Sequence, residues 1–163
     1  MRNVRRIYQA NSQHWVGDGF LVQPLFSHMG ENKQTDPFLM LDYGAPMEFA
    51  PNHTGRARGV EQHPHKGFET VTIAYHGEVA HRDSTGGGGV IKEGDVQWMT
   101  AGAGIIHEEF HSDAFSKRGG LFEMVQLWVN LPAKDKNTPA RYQHLAKENI
   151  PVLELPNSAG HVR

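Results

Sequence analysis

The sequence predicts an all-β fold, an antiparallel barrel or sandwich, on three observations. Apolar runs rich in Val, Ile, Phe, Trp and Thr follow one another at short spacing. Eighteen glycines and nine prolines in 163 residues supply many turns. The longest apolar stretch, Leu121 to Leu131, lies between Gly119-Gly120 and Pro132 and carries Val, Trp and Val, which favours a strand over a helix. The length suits one well-packed domain or one domain with a tail.

Each element follows from local chemistry. Residues 1–12 are polar and basic. Phe20 to Phe26 reads as a first strand, with Pro24 placing it at an edge or bend because proline cannot donate to a ladder. Asp36-Pro37 opens a turn before the apolar run Phe38 to Tyr43, and residues 44–62 read as loop. Phe68 to Tyr75 is β-rich, and His76-Gly77-Glu78 reads as a hairpin turn into Val79 to Asp83. Gly86 to Gly89 reads as a loop tip. Val90-Ile91, a turn at Lys92 to Asp95, and Val96 to Thr100 come next. Gly102 and Gly104 permit a tight connection into the strand Ile105 to His111. Residues 133–149 are polar, with a short helix expected near Leu145, and Ile150 to Pro156 is a last extended piece.

The chemistry concentrates in two pairs on these strands. His63 and His65 stand two apart, as do His107 and Glu109. Side chains at i and i+2 of a strand share a face, about 6–7 Å apart at the backbone. If the two strands are neighbours, three imidazoles and one carboxylate converge on one point. That set suits a divalent transition metal with open coordination positions. His111 shares the face of His107 and Glu109 but lies about 13 Å along the strand from His107, which predicts a rim position. Glu108 should point away, and Glu69 suits a structural or supporting role. His14, His28, His53, His76, His81, His144 and His161 lack a paired donor and are expected to be ordinary surface or hydrogen-bonded residues.

Composition excludes several classes. The net charge of −2 argues against direct nucleic-acid binding by bulk charge, and the cluster Arg2, Arg5 and Arg6 reads as a solvated terminus. The chain has no cysteine, so any metal is held by nitrogen and oxygen. That fits a reducing compartment. No apolar run reaches membrane-spanning length and no signal peptide is visible, so a soluble cytoplasmic protein is expected.

Longer segments carry a resemblance. Gly59-x3-His63-Pro64-His65-x3-Glu69 and the stretch from Gly94 to Gly104-Ile105-Ile106-His107 resemble the two cupin motifs. The stretches DPFLMLDY (36–43), HPHKGFETVT (63–72), GDVQWMTAGAGIIHEE (94–109) and QLWVNLP (126–132) resemble the pirin family, and the likeness runs from about residue 20 to 145. The resemblance implies a cupin-type antiparallel β-barrel or sandwich, with one cupin domain over residues 1–145. Residues 146–163 are then an extension, or the start of a second cupin domain of the kind pirins usually carry. It also implies one divalent metal, Fe(II) first, with Zn, Mn, Ni or Co as alternatives, on His63, His65, His107 and Glu109. Glu109 is the expected catalytic base. Flavonol ring opening with O2, as in quercetin 2,3-dioxygenases, is the activity implied, with a small aromatic molecule as substrate. A redox-sensing iron module that binds a transcription-related protein is the second reading, and a metal-dependent sugar isomerase the third. A missing second domain would leave apolar surface and favour homo-oligomers.

Overall fold

The two pairs of candidate ligands face the same interior because of how the thirteen strands of the described residues divide between sheets. The structure is a computed structural model and describes residues 3–4, 6–9, 12–29 and 35–163. Arg2 and Arg5 of the basic cluster lie outside the described residues. In chain order the strands are β1 (His14–Val16), β2 (Phe20–Ser27), β3 (Phe38–Phe49), β4 (Gly59–His65), β5 (Phe68–His76), β6 (Val79–Asp83) and β7 (Gly88–Ile91). They continue as β8 (Val96–Thr100), β9 (Ile105–His111), β10 (Gly120–Asn130), β11 (Arg141–Leu145), β12 (Leu153–Glu154) and β13 (His161–Val162), with one α-helix among the described residues, α1 (Asp113–Arg118). A seven-stranded sheet runs β1-β2-β3-β10-β5-β8-β11, and a four-stranded sheet runs β4-β9-β6-β7. All pairings are antiparallel. The all-β expectation holds as a two-sheet sandwich. The ladders of the described residues do not close into one barrel, so of the barrel or sandwich expected it is the sandwich that forms.

The sheets meet over a core of Phe20, Val22, Phe49, Ala74, Val79, Ile91, Phe115, Phe122 and Met124. These residues come from both sheets and from α1, so the helix closes one end of the sandwich. Ser112 caps α1 by accepting a 2.9 Å hydrogen bond from the Phe115 amide. Gly119, at φ +68, ends it where an L side chain is disfavoured. Helix α1 escaped the sequence reading because its six residues offer less than two turns of periodicity.

Four local expectations are corrected. Residues 44–62 are not loop throughout, since β3 runs to Phe49 and β4 begins at Gly59. His76-Gly77-Glu78 is not a hairpin turn: β5 and β6 belong to different sheets, so this connection crosses between layers. Gly88 and Gly89 are the first residues of β7, paired with Arg82 and His81. The helix near Leu145 is instead the strand β11, paired with β8, with a 3-10 turn at Lys147–Asn149. Pro24 sits beyond the reach of the short β1, whose ladder covers only Phe20 to Val22, so β2 is an edge there as expected.

The inward face of the seven-stranded sheet carries polar residues beside its apolar core. Antiparallel sheets commonly turn apolar residues inward and polar ones outward. Here the inward positions include Asp42, Thr70, Thr72, Gln97 and Gln126, and Thr70, Thr72 and Gln97 have no exposed surface. The alternate positions on β5 and β10, Val71, Ile73, Val125 and Leu127, face the other way. A polar interior costs free energy unless its groups find partners, and those partners are the site.

Candidate metal centre

Strands β4 and β9 are neighbours, and His63 stands directly opposite His107. A β-bulge sets this register: Val60 pairs with Glu109 and His63 with His107, so β4 takes one residue more than β9. Val60 and His63 therefore both line the interior cavity, and Glu61 is left outside, paired with Arg56. Gly59 makes the close approach possible, since a Cβ there would stand 2.3 Å from the Glu109 carbonyl oxygen.

The imidazoles of His63, His65 and His107 form one cluster, with donor atoms all within 4.8 Å of one another. Ring centroids lie 4.3 Å apart for His63–His107 and 4.8 Å for both His63–His65 and His65–His107. The carboxylate of Glu109 belongs to a second group within the same limit, with His107 and His81. His107 is common to both. The structure thus brings three of the four expected ligands, the imidazoles, into one cluster, and places the fourth, Glu109, in a group that shares only His107 with it.

Hydrogen bonds fix which nitrogen is free. His63 Nδ1 lies 2.7 Å from the Glu61 carbonyl oxygen, so it carries the proton and Nε2 keeps its lone pair. His81 Nε2 lies 2.9 Å from Asp83 Oδ2, and both side chains are fully buried. Burial pushes the Asp83 carboxyl up, but hydrogen bonds from Thr85, His81 and Gly87 outweigh it and hold the group below its ordinary value. An ionised Asp83 can only accept, so His81 Nε2 is protonated and its Nδ1 is an acceptor. His107 Nδ1, 3.2 Å from His81 Nδ1, must then donate. That leaves the His107 Nε2 lone pair free, and this buried atom has no hydrogen-bond partner.

The electrostatics agree. Burial, then the neighbouring His63 and His81, lowers the His107 pKa to about 3. Burial, then His107 and His63, lowers that of His65 to about 4. Both rings are neutral at neutral pH, the form that coordinates metals. Glu109 Oε1 accepts from Gln97 Nε2 at 2.6 Å and Oε2 from Gln126 Nε2 at 3.1 Å, so two amides fix its orientation. Neutral imidazoles, an orphaned buried nitrogen and an oriented carboxylate fit a divalent transition metal. His81 has both nitrogens engaged, Nε2 with Asp83 and Nδ1 with His107, and offers no free lone pair.

Other histidines depart from expectation in instructive ways. His111 is 1% exposed, so the rim position is corrected. It is boxed by Phe20, Phe49, Phe115 and Phe122, and its Nε2 donates to the Gly19 carbonyl at 2.9 Å. Parity on β9 does turn it inward, but α1 and β10 close over that end of the sandwich. His81 is also corrected: it is buried against His107 and stacked on Tyr142, with centroids 4.5 Å apart. Its signal was present in the sequence, since His81 and Asp83 form a third i,i+2 pair of polar side chains. His144 bonds Asp95 at 3.0 Å. Glu69 accepts from Thr100 at 2.7 Å, and Glu108 pairs with Arg82 at 3.2 Å.

A cavity of about 290 Å³ opens beside His63, His65 and Glu109. Its walls are largely apolar: Val16, Phe20, Val22, Met40, Met124 and Trp128. His14, Asp42 and Gln126 are its remaining polar residues. No helix among the described residues is long and apolar enough to cross a membrane.

Residues 19–129 match the sequence profile of the Pirin family. The whole chain aligns at 56% identity over 163 residues with "Putative quercetin 2,3-dioxygenase PA2418" of Pseudomonas aeruginosa, covering 56% of that protein. A "Pirin-like protein" of Solanum lycopersicum is 43% identical over 138 residues, which are 85% of this chain and 43% of that protein. Among solved structures, a quercetin 2,3-dioxygenase from Acinetobacter baumannii superposes with a TM-score of 0.87 at 60% identity, over 94% of this chain and 53% of that chain. The chain spans about half the length of the curated relatives it matches.

Proposed function

The chain belongs to the Pirin family, and from that premise we propose that it is a metal-dependent dioxygenase that opens a flavonol ring with O2, in the manner of quercetin 2,3-dioxygenases. The observation that carries the reading is the buried, unpartnered His107 Nε2 in a cluster with His63 and His65, two residues that line an apolar cavity. The name of the Acinetobacter baumannii structure supports the substrate class.

In this reading His63, His65 and His107 hold one divalent metal and Glu109 is the anionic fourth donor. Fe(II) is the proposed ion, with Zn, Mn, Ni and Co as alternatives. When bound, the metal supplies Lewis acidity toward adjacent hydroxyl and carbonyl oxygens and the redox partner for O2. The chain supplies everything else. Val16, Phe20, Met40 and Trp128 grip a flat aromatic body, in a cavity near the lower end of the roughly 300–1,000 Å³ range of small-molecule sites. Glu109 takes the flavonol hydroxyl proton. Gln97 and Gln126 each donate one hydrogen bond to it, which fixes the carboxylate in place and leaves lone pairs for that proton. The apolar walls exclude water from the reacting oxygens.

The test is oxygen uptake by iron-loaded protein with quercetin. Glu109→Gln is expected to lose more turnover than metal, because Gln keeps the shape but cannot take the proton. Chains extended beyond Arg163 belong in the same assay, since the relatives are about twice as long. Full iron binding without oxygen uptake from any flavonol, in either length, would replace this reading with the regulatory one.

A further inference from the structure

Asp42 sits in the middle of an apolar strand, β3, and is 7% exposed. It lines the same cavity as His63, His65 and Glu109. It belongs to neither group of clustered metal donors. Its Oδ1 is buried without any hydrogen-bond partner among the described residues.

Its neighbours explain the vacancy. In register, Asp42 lies between Pro24 on β2 and Gln126 on β10. Pro24 has no N–H to give. Gln126 spends its amide donors on Glu109 Oε2 and Thr72 Oγ1, and its Oε1 accepts from Trp128 Nε1. The other inward polar groups thus satisfy one another around Glu109 and leave Asp42 facing the cavity. The remaining buried atoms without partners, on Thr70, Gln97, His107 and Tyr142, belong to residues outside the cavity lining. Leaving a buried acceptor unmade is costly, and an acceptor in a ligand cavity is satisfied by a donor on the ligand.

Resting on the function proposed above, we propose that Asp42 is a specificity-determining residue: it accepts a hydrogen bond from a ligand hydroxyl other than the oxygens that face the histidine cluster. The preferred ligand is then a hydroxylated aromatic molecule with a further hydroxyl donor on its apolar body, and analogues lacking that hydroxyl are rejected. Rejection is the stronger half of the argument, because a site built for a hydroxyl leaves its own acceptor unpaired when the hydroxyl is missing. Burial also raises the Asp42 carboxyl pKa, partly countered by His14, as fits a group awaiting a partner.

The experiment measures binding to zinc-loaded protein under strict exclusion of O2, so that no ring opening can occur, with three probes: quercetin, the flavonol lacking its pendant-ring hydroxyls, and the flavonol lacking its fused-ring hydroxyls. Wild type is expected to bind one of the two deleted flavonols at least about tenfold more weakly than quercetin. Asp42→Leu, close in size but without an acceptor, is expected to bring that ratio to within about threefold. Asp42→Asn keeps one acceptor oxygen and covers the case in which the Leu variant fails to fold; it is expected to give an intermediate ratio. Metal content is measured on every sample. If flavonols bind but the ratio is the same in wild type and both variants, the Asp42 assignment is overturned and the dioxygenase reading stands. If zinc-loaded wild type binds no flavonol, both fall together.

Discussion

The Nδ1 atoms of His81 and His107 lie 3.2 Å apart, deep in the sandwich, with Asp83 behind His81. Only one proton fits between two such nitrogens, and Asp83 decides which ring owns it. The expected consequence is that His81→Phe, which keeps the stack on Tyr142 but removes the acceptor, weakens metal binding about 10–100-fold. His81→Asn, with an oxygen near the Nδ1 position, is expected to recover most of the affinity. Competition titration with a chromophoric chelator checks both. Equal affinity in wild type and His81→Phe would refute the tautomer assignment.

The metal itself should be lost when a member of the imidazole cluster goes. His65→Ala and His107→Ala are expected to purify with a small fraction of the wild-type metal. His144→Ala is expected to keep it, because that ring is engaged with Asp95. Elemental analysis of protein purified without added metal distinguishes the two outcomes.

Metal removal should also lower the melting temperature. A ligand that binds only the folded state stabilises by mass action, about 2.7 kcal/mol at a free concentration one hundred times Kd. Dithiothreitol alone is expected to change nothing, since the chain has no disulfide to reduce. Differential scanning calorimetry with and without chelator is the measurement.

Acid should destabilise the metal-free protein through His111. Burial lowers its pKa to about 4 from an ordinary value of 6.5. The unfolded chain therefore binds this proton first as pH falls. The contribution is fully present above pH 6.5, declines through the window, and is gone below about pH 4. For this fully buried ring it is on the order of 3 kcal/mol. His111→Phe should show a shallower decline over the same window in urea titrations, although the lost bond to the Gly19 carbonyl makes it less stable at pH 7.

Gly102 offers a backbone test. It adopts φ +48, and a Cβ there would stand 2.1 Å from the Thr138 carbonyl oxygen. Gly102→Ala is expected to cost about 2 kcal/mol or more, read as a lower urea midpoint.

Period-two logic made the imidazole cluster of this candidate site legible in the sequence. It put His63 with His65 and His107 with Glu109, and it needed only that β4 and β9 be neighbours. It had no access to the bulge that turns both Val60 and His63 inward, because parity counts residues and a bulge breaks the count. His111 defeated it for a different reason: parity gives the face, while α1 and β10, distant in sequence, decide whether that face ends in solvent or in a box of phenylalanines. Gln97, Gln126 and Asp42 sat in plain view within apolar strands. A polar side chain at an inward position of such a strand was the legible clue to the cavity. The hairpin expected at Gly77 failed because a glycine turn looks the same whether the next strand pairs with the last one or crosses to the other sheet.

Strand β9 does two jobs with alternate residues of one face. Ile105, His107, Glu109 and His111 are 3%, 1%, 5% and 1% exposed, and the strand lies between β4 and β6. No frayed edge separates the ligand end from the core end. Local openings that release one stretch of backbone start where protection is thin, and this strand has no such place. Amide hydrogens from Ile105 to His111 should exchange with solvent together, at the rate set by global unfolding.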